Sequence, residues 1–210
     1  MIPTPTRPIW GILLAAGQGQ RYAQQQPGAD KLLAPINNQQ VVLEASASAL
    51  AAHTDYAVAI VPSKHSERGQ RLQHAGLEII SCSSYMQGMG ASLAVAAQFL
   101  RQYATSSREP KGVLVALADM PSIQMPTYKA VAHALTHSLI AAPVYQGKRG
   151  HPVGFNWSLI DELGQLQGDQ GARRLIQQHG FYAIHTHDAG VLYDIDLPEH
   201  LAAAPYSATD

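Results

Sequence analysis

Folds stapled by disulfides or by multi-cysteine zinc sites are closed to this chain. Cys82 is its only cysteine, so neither arrangement can form within it. With no Lys or His beside it in sequence, Cys82 is not expected to act as a nucleophile. An excess of one charge is also missing. The 210 residues hold 14 Lys and Arg against 15 Asp and Glu, a formal charge of −1. No basic surplus exists to replace the counterions of a nucleic acid, so no nucleic-acid partner is expected. No apolar run reaches the roughly 18 residues of a membrane span, so no membrane partner is expected either. Met1–Pro8 contains three prolines and one arginine but no apolar signal core, and the expected compartment is cytoplasmic.

What the chain does have is apolar surface. Charged residues make up only 14% and hydrophobic residues 46%, which excludes a disordered chain. Apolar runs without alternation, the pattern of strands buried on both faces, lie at Ile9–Ala15, Tyr56–Val61, Leu77–Ser81, Gly112–Leu117 and Leu139–Val144. Ala-rich stretches with helical spacing fall between them, at Val41–Ala52, Ala91–Tyr103 and Pro126–His137. Strand–helix alternation of this kind predicts right-handed crossovers and a parallel sheet. Further on, a strand at His151–Phe155, a helix at Gly168–His179, a strand at Phe181–His187 and a helix at Pro198–Ala204 are expected. Gln24–Gln26, followed by Pro27-Gly28, reads as a flexible loop. No repeat and no Gly/Ser/Pro-rich linker divides the chain, so a single α/β domain is expected.

In such sheets ligands bind beyond the carboxyl ends of the strands. After the first strand stand Leu14, Ala15, Ala16, Gly17, Gln18, Gly19, Gln20 and Arg21, with Lys31 ten residues beyond Arg21. Small residues let backbone N–H groups approach a phosphate, and two cations can neutralise it; a plain strand-to-helix turn with surface charges fits the same letters. Tyr22 occupies the third-glycine position of a dinucleotide fingerprint, and no Gly-Lys-Ser/Thr of a Walker A loop is present. The fourth strand ends in Ala118-Asp119-Met120-Pro121, and a second acidic group stands at Asp194-Ile195-Asp196-Leu197-Pro198-Glu199. One or two carboxylates beside substrate phosphates suit magnesium. Each aspartate could instead cap the helix that follows it. Together, beside a glycine-rich loop, they favour a metal–phosphate site.

Six segments in order carry a resemblance: Leu14-Ala15-Ala16-Gly17 with Arg21 and Lys31; Gly88-Met89-Gly90-Ala91-Ser92; Ala118-Asp119-Met120-Pro121; Arg149-Gly150-His151-Pro152-Val153; Gly168-Asp169-Gln170-Gly171-Ala172-Arg173; and the Asp194–Glu199 motif. The chain resembles the molybdenum cofactor cytidylyltransferases among the MobA-like nucleotidyltransferases, with the domain running from Ile9 to Leu201. The resemblance implies a single-domain Rossmann-like α/β fold with a mostly parallel sheet flanked by helices. It implies CMP transfer from CTP to molybdopterin with release of pyrophosphate, giving a product destined for a molybdoenzyme or its chaperone. Leu14, Ala15, Ala16 and Gly17 would hold the nucleotide, with Gly88, Gly90 and Ser92 near its base or ribose. Arg21, Lys31 and Asp119 would be catalytic, and Asp119 and Asp196 would hold Mg²⁺. His151, Pro152, Asp169 and Arg173 would face the pterin. Ala16 is the discriminating letter, since the related guanylyltransferases tend to carry Leu-Ala-Gly-Gly. The Ala23–Asp30 segment is longer than the family's usual loop.

Blander readings stand beside some of these. Gly90 and Ser92 could merely open a helix, and His151 could be a packed or capping histidine. An enzyme using GTP or another phosphorylated acceptor, or a delivery module that binds without turnover, shares most of these motifs. His133 and His137 have zinc-like helical spacing but no evident third ligand, which favours a surface pair. His185-Thr186-His187 reads as one exposed strand face. No Ser-His-Asp order or Gly-x-Ser-x-Gly elbow is present.

Overall fold

The computed structural model describes residues 8–37, 39–105 and 109–204. Met1–Arg7, most of the Met1–Pro8 stretch that carries no apolar signal core, lies outside them. In chain order the elements are β1 (Ile9–Leu14), α1 (Gln20–Gln25), α2 (Val42–Ala51), β2 (Tyr56–Val61), α3 (Glu67–His74), β3 (Glu78–Ser81), α4 (Met89–Tyr103), β4 (Gly112–Leu117), α5 (Met125–Ala134), β5 (Ile140–Tyr145), β6 (Lys148–Arg149), β7 (Val153–Asn156), α6 (Ile160–Leu163), α7 (Arg173–His179), β8 (Tyr182–His185) and α8 (Pro198–Ala203).

The unalternating apolar runs become central strands because each sends successive residues into two different cores. Ile12, Val58, Ile60, Val113 and Val115 face one layer, with Leu93, Ala97 and Leu100 of α4 and Leu175 and Ile176 of α7. Their neighbours Leu13, Ala59, Leu114 and Ala116 face the other, with Val42, Leu43, Ala47 and Leu50 of α2, Leu72 of α3 and Tyr128 and Val131 of α5. The chain is thus an α/β sandwich of helices on both faces of one sheet.

The sheet runs in the order β3-β2-β1-β4-β7-β5, with β6 and β8 also paired to β5. β1 pairs in parallel with β2 and with β4, so the strand order reverses direction at β1. Between the carboxyl ends of β1 and β4 a crevice therefore opens. The expected strand at His151–Phe155 begins only at Val153 and is antiparallel to both β4 and β5, so the sheet is mixed, though mostly parallel.

Two expected elements are corrected. Gln24 and Gln25 belong to α1 and Gln26 is its C-cap, so this stretch is not a flexible loop; buried Tyr22 pins the helix to the core. The helix expected from Gly168 starts at Arg173, because Gly168 and Gly171 take φ of 67° and 51°, a left-handed backbone that a right-handed helix cannot include.

Candidate functional site

At the end of β1 the chain turns through Ala15–Gly19 into α1. Gly19 is the N-cap of α1 with φ 59°, a conformation that costs a glycine little. A side chain there would also press on Cγ of Lys31. A Cβ added at Gly17 would meet nothing within 4 Å, so the bare backbone at this point faces open space.

Lys31 opens a short 3₁₀ turn, Lys31–Leu33, whose cap is Asp30, with its carboxylate accepting from Leu32 N. Buried Leu32 anchors the turn and leaves the Lys31 side chain only 7% exposed. A buried ammonium requires partners, and Lys31 Nζ donates to Asp119 Oδ2 at 2.6 Å and to Asp196 Oδ1 at 2.8 Å. Arg21, on α1 and largely in solvent, donates to Asp196 Oδ2 at 3.0 Å. Burial alone would weaken the hold of Lys31 on its proton, but the charge and hydrogen bonds of Asp119 and Asp196 outweigh it and raise its pKa. The hydrogen bond from Lys31 is also the main reason that Asp196 is held below the usual carboxylate range.

Asp194 belongs to the same cluster. One carboxylate oxygen from each of Asp119, Asp194 and Asp196 lies within 4.8 Å of the others. Burial first, then the charges of Asp196 and Asp119, pushes Asp194 above the usual range. Neither Asp119 nor Asp196 caps a helix: the N-cap of α5 is Gln124 and that of α8 is Leu197. An all-oxygen donor set of this kind fits a hard divalent cation that keeps part of its shell for water and phosphate. A cation, the Lys31 ammonium, already sits between two of the three.

Asp119 and Lys31 line a cleft of about 500 Å³ together with Leu14, Ala16, Gly17, Gln18, Gly19, Gln20, Tyr85, Met86, Gly88, Met89, Ser92 and Asp169, among others. Ala15 and Gly90 are buried and do not line it. Gly90 N donates to Gly168 O at 2.8 Å and so ties α4 to the loop that carries Asp169. Gly88 has φ 108°, and any Cβ there would run into the Asp169 carboxylate. Ser92 is not the cap of α4, which begins at Met89 after Gly88. On the far side of Lys31 a second hollow of about 420 Å³ is lined by Gln18, Gly19, Gln20, Arg21, Lys31 and Asp196. Lys31 is shared by both.

His151, Pro152 and Arg173 do not line the cleft. His151 N donates to Val191 O at 3.0 Å, its Nδ1 is enclosed without a partner, and burial lowers its pKa. Pro152 is buried, and Arg173 is exposed at the start of α7. Cys82 is a free, buried thiol. His133 and His137 are exposed, with ring centroids 6.2 Å apart, and His185 and His187 are likewise exposed.

Sequence reasoning missed three supporting groups. Arg68 on α3 donates to the Asp30 carboxylate and to the carbonyls of Ala15 and Gly17. Asp30 itself went unassigned. Buried Asp188 accepts from Gln124 N, Thr127 Oγ1 and Gly190 N. None of them lies in a recognisable motif. The only prior signal was an aspartate directly before Lys31.

The family model described as "MobA-like NTP transferase domain" matches residues 11–183, a span that contains Lys31 and Asp119 and stops short of Asp194 and Asp196. The chain is 26% identical over 208 residues to the "Purine catabolism protein PucB" of Bacillus subtilis (strain 168), covering 90% of this chain and 92% of that one. It resembles the crystal structure of Rv0371c from Mycobacterium tuberculosis H37Rv with a TM-score of 0.73 at 23% identity, over 96% of this chain and 99% of that one. The manganese complex of Rv0371c gives 0.69 at 21%, over 93% and 97%. A nucleotidyl transferase from Methanothermobacter thermautotroptrophicus (Mth528) gives 0.71 at 19%, over 93% and 95%. At these identities the structural likenesses bear on the fold alone.

Proposed function

We propose that this chain, which belongs to the MobA-like NTP transferase domain family, transfers CMP from CTP to molybdopterin through a domain running from Ile9 to Leu201. Nucleotidyl transfer of the MobA-like type is the activity of the family; the nucleotide and the acceptor are our reading. One observation carries it: the buried Lys31 ammonium bonds both Asp119, in the cleft at the carboxyl ends of β1 and β4, and Asp196, in the hollow beside it.

In this reading the triphosphate lies along Ala16–Gly19, where no side chain intrudes at Gly17. The base lies towards Gly88, Met89 and Ser92. A phosphate oxygen of the pterin attacks the α-phosphorus, the bond to the bridging β-phosphate oxygen breaks, and pyrophosphate leaves with that electron pair. No covalent enzyme intermediate is needed. Lys31 and Arg21 counter the charge that develops on the transferring group, and the cleft aligns attacker and leaving group. Asp119, Asp194 and Asp196 are the residues that would hold Mg²⁺, which when bound supplies further neutralisation of phosphate charge. The segments of His151, Pro152, Asp169 and Arg173 are the ones that would face the pterin, and of these four side chains Asp169 lines the cleft. The Ala16 methyl, at the cleft wall, supports CTP over the larger GTP.

The product would equip a cytoplasmic molybdoenzyme, directly or through its chaperone. The relative described as a purine catabolism protein supports a recipient that acts on purines. The test is incubation of the protein with molybdopterin, Mg²⁺ and each of the four NTPs in turn, with products identified by mass. Cytosine dinucleotide as the main product supports the reading. A guanine dinucleotide, or nucleotide binding without any dinucleotide, overturns it in favour of the related transferase or of a delivery module.

A further inference from the structure

We infer that Arg68 is the positioning residue of the nucleotide site: it sets the phosphate-binding loop and the turn that carries Lys31 at a fixed distance from each other without touching substrate itself. The inference deepens the proposed function and rests on it for the identity of what the loop binds.

Arg68 makes four hydrogen bonds. Nε and Nη2 grip the two oxygens of Asp30 at 2.5 and 2.7 Å, while Nη1 donates to Ala15 O at 2.9 Å and to Gly17 O at 2.8 Å. Its side chain is 11% exposed. The planar fork of a guanidinium suits a two-point grip on a carboxylate. Here the same plane extends to two backbone carbonyls of another segment.

Two consequences follow from that geometry. In a trans peptide the C=O and the N–H of the next residue point in opposite directions. Drawing Ala15 O and Gly17 O towards Arg68 therefore turns the N–H groups of Ala16 and Gln18 away from it, and both residues line the cleft. The amides that an anion needs are thus aimed from behind. The other consequence concerns Lys31. Asp30 Oδ1, gripped by Arg68, also accepts from Leu32 N at 3.0 Å and caps the Lys31–Leu33 turn. The segment between Arg21 and Lys31 is long, and its ordering carries an entropic cost; the clamp from α3 fixes where that segment ends. Since Asp30 neutralises Arg68 in direct contact, the contribution of Arg68 is geometric rather than a matter of charge.

The experiment measures dissociation constants for inorganic tripolyphosphate and for CTP, with Mg²⁺, in the wild-type protein and in Arg68→Lys, Arg68→Ala and Asp30→Asn. Amide hydrogen exchange of the nucleotide-free proteins is measured alongside. Hydrogen bonds to a charged group contribute about 1.5–3 kcal/mol, so weakening of about 10- to 100-fold is expected for both ligands. Arg68→Lys should be nearly as weak as Arg68→Ala, because lysine keeps the charge but not the fork. Free guanidinium should restore binding to Arg68→Ala, whereas methylammonium at equal ionic strength should not. Exchange should rise across 15–33 while β2 and β4 keep their protection. Binding within about threefold of wild type in Arg68→Ala, or full rescue by Arg68→Lys, overturns the inference. If the wild-type protein binds neither ligand while exchange still rises in the variants, the nucleotide reading fails and the clamp stands.

Discussion

Lys31 and Asp196 are 165 positions apart in the chain and 2.8 Å apart in the fold. Every strand except β1 lies between them in the chain. The ladder of β1 to β4 brings the Asp119 strand end beside the β1 loop, and the 188–196 segment returns across both. Ile195 N donates to the backbone oxygen of Asp119 at 2.8 Å, which seats Asp194 and Asp196 on either side of that point. The acidic cluster is therefore assembled by tertiary structure.

Lys31→Met should lower turnover about 10²–10³-fold, the usual scale for removing one electrostatic stabiliser from a preorganised site. Because Lys31 is nearly buried, the loss should be about the same at low and high ionic strength, unlike that of a solvent-held charge. Steady-state rates at two salt concentrations check this. A loss that shrinks below about threefold in high salt would leave Arg21 as the main cation.

Removal of the same ammonium leaves three carboxylates facing one another. Adding Mg²⁺ or Mn²⁺ should therefore raise the melting temperature of Lys31→Met by more than that of wild type, since no resident cation has to be displaced. Calorimetric scans with and without metal decide it. Equal shifts in the two proteins would place the metal elsewhere.

Ala16→Gly should relax the preference for CTP over GTP more than it changes the maximal rate. Ala16 is 5% exposed and stands at the cleft wall. One methyl can supply about 1–3 kcal/mol of discrimination, or roughly 10–200-fold. Competition kinetics with both nucleotides measure it directly, and a GTP preference in the unmodified protein contradicts the assignment.

His151 gives the fold an acid-side sensitivity. Burial is the main cause that holds its folded pKa below the usual 6.5. Below pH 6.5 the unfolded chain binds a proton that folded His151 refuses, so stability falls by up to about 1.4 kcal/mol per pH unit. The fall levels off once the pH drops below the folded value. Urea unfolding at pH 7.5 and 5.5 should show a smaller difference for His151→Gln than for wild type; equal differences would assign the sensitivity to other histidines.

Asp188→Ala should cost about 2–4 kcal/mol of stability, since it leaves Thr127 and two backbone amides without their acceptor. Asp188 is 4% exposed and ties the 188–192 turn to the N-terminus of α5. Its loss should also lower turnover well below the melting point, because that turn leads directly into Asp194 and Asp196. Activity unchanged in a folded variant would separate the two roles.

Much of the architecture was legible in the sequence because buried parallel strands write themselves as unbroken apolar runs. β2 and β4 match their expected bounds, and β1 ends within one residue. α3 was invisible for the opposite reason: Gly69 and Leu72 are its only buried residues, so it carries almost no apolar periodicity. Its contribution is polar, through Arg68. The antiparallel course of β7 left no trace either, since a strand covered on both faces reads alike in both directions. Within the cleft, Gly17, Lys31 and Asp119 were found because they sit at strand ends or in a spaced motif. Asp194 shares its motif with Asp196 and was separated from it only by geometry. Asp30 and Asp188 act through hydrogen bonds to distant backbone, which no local pattern encodes.

The most direct measurement counts pyrophosphate released per dinucleotide formed from CTP and molybdopterin, in the wild-type protein and in Asp119→Ala. The Asp119 side chain is 20% exposed, so its truncation removes a carboxylate from the cleft floor while the packed sheet stays intact. Wild type should release equal amounts of pyrophosphate and cytosine dinucleotide. Asp119→Ala should give neither, with circular dichroism unchanged. Pyrophosphate released without dinucleotide, or wild-type rates from folded Asp119→Ala, would contradict metal-assisted CMP transfer at this site.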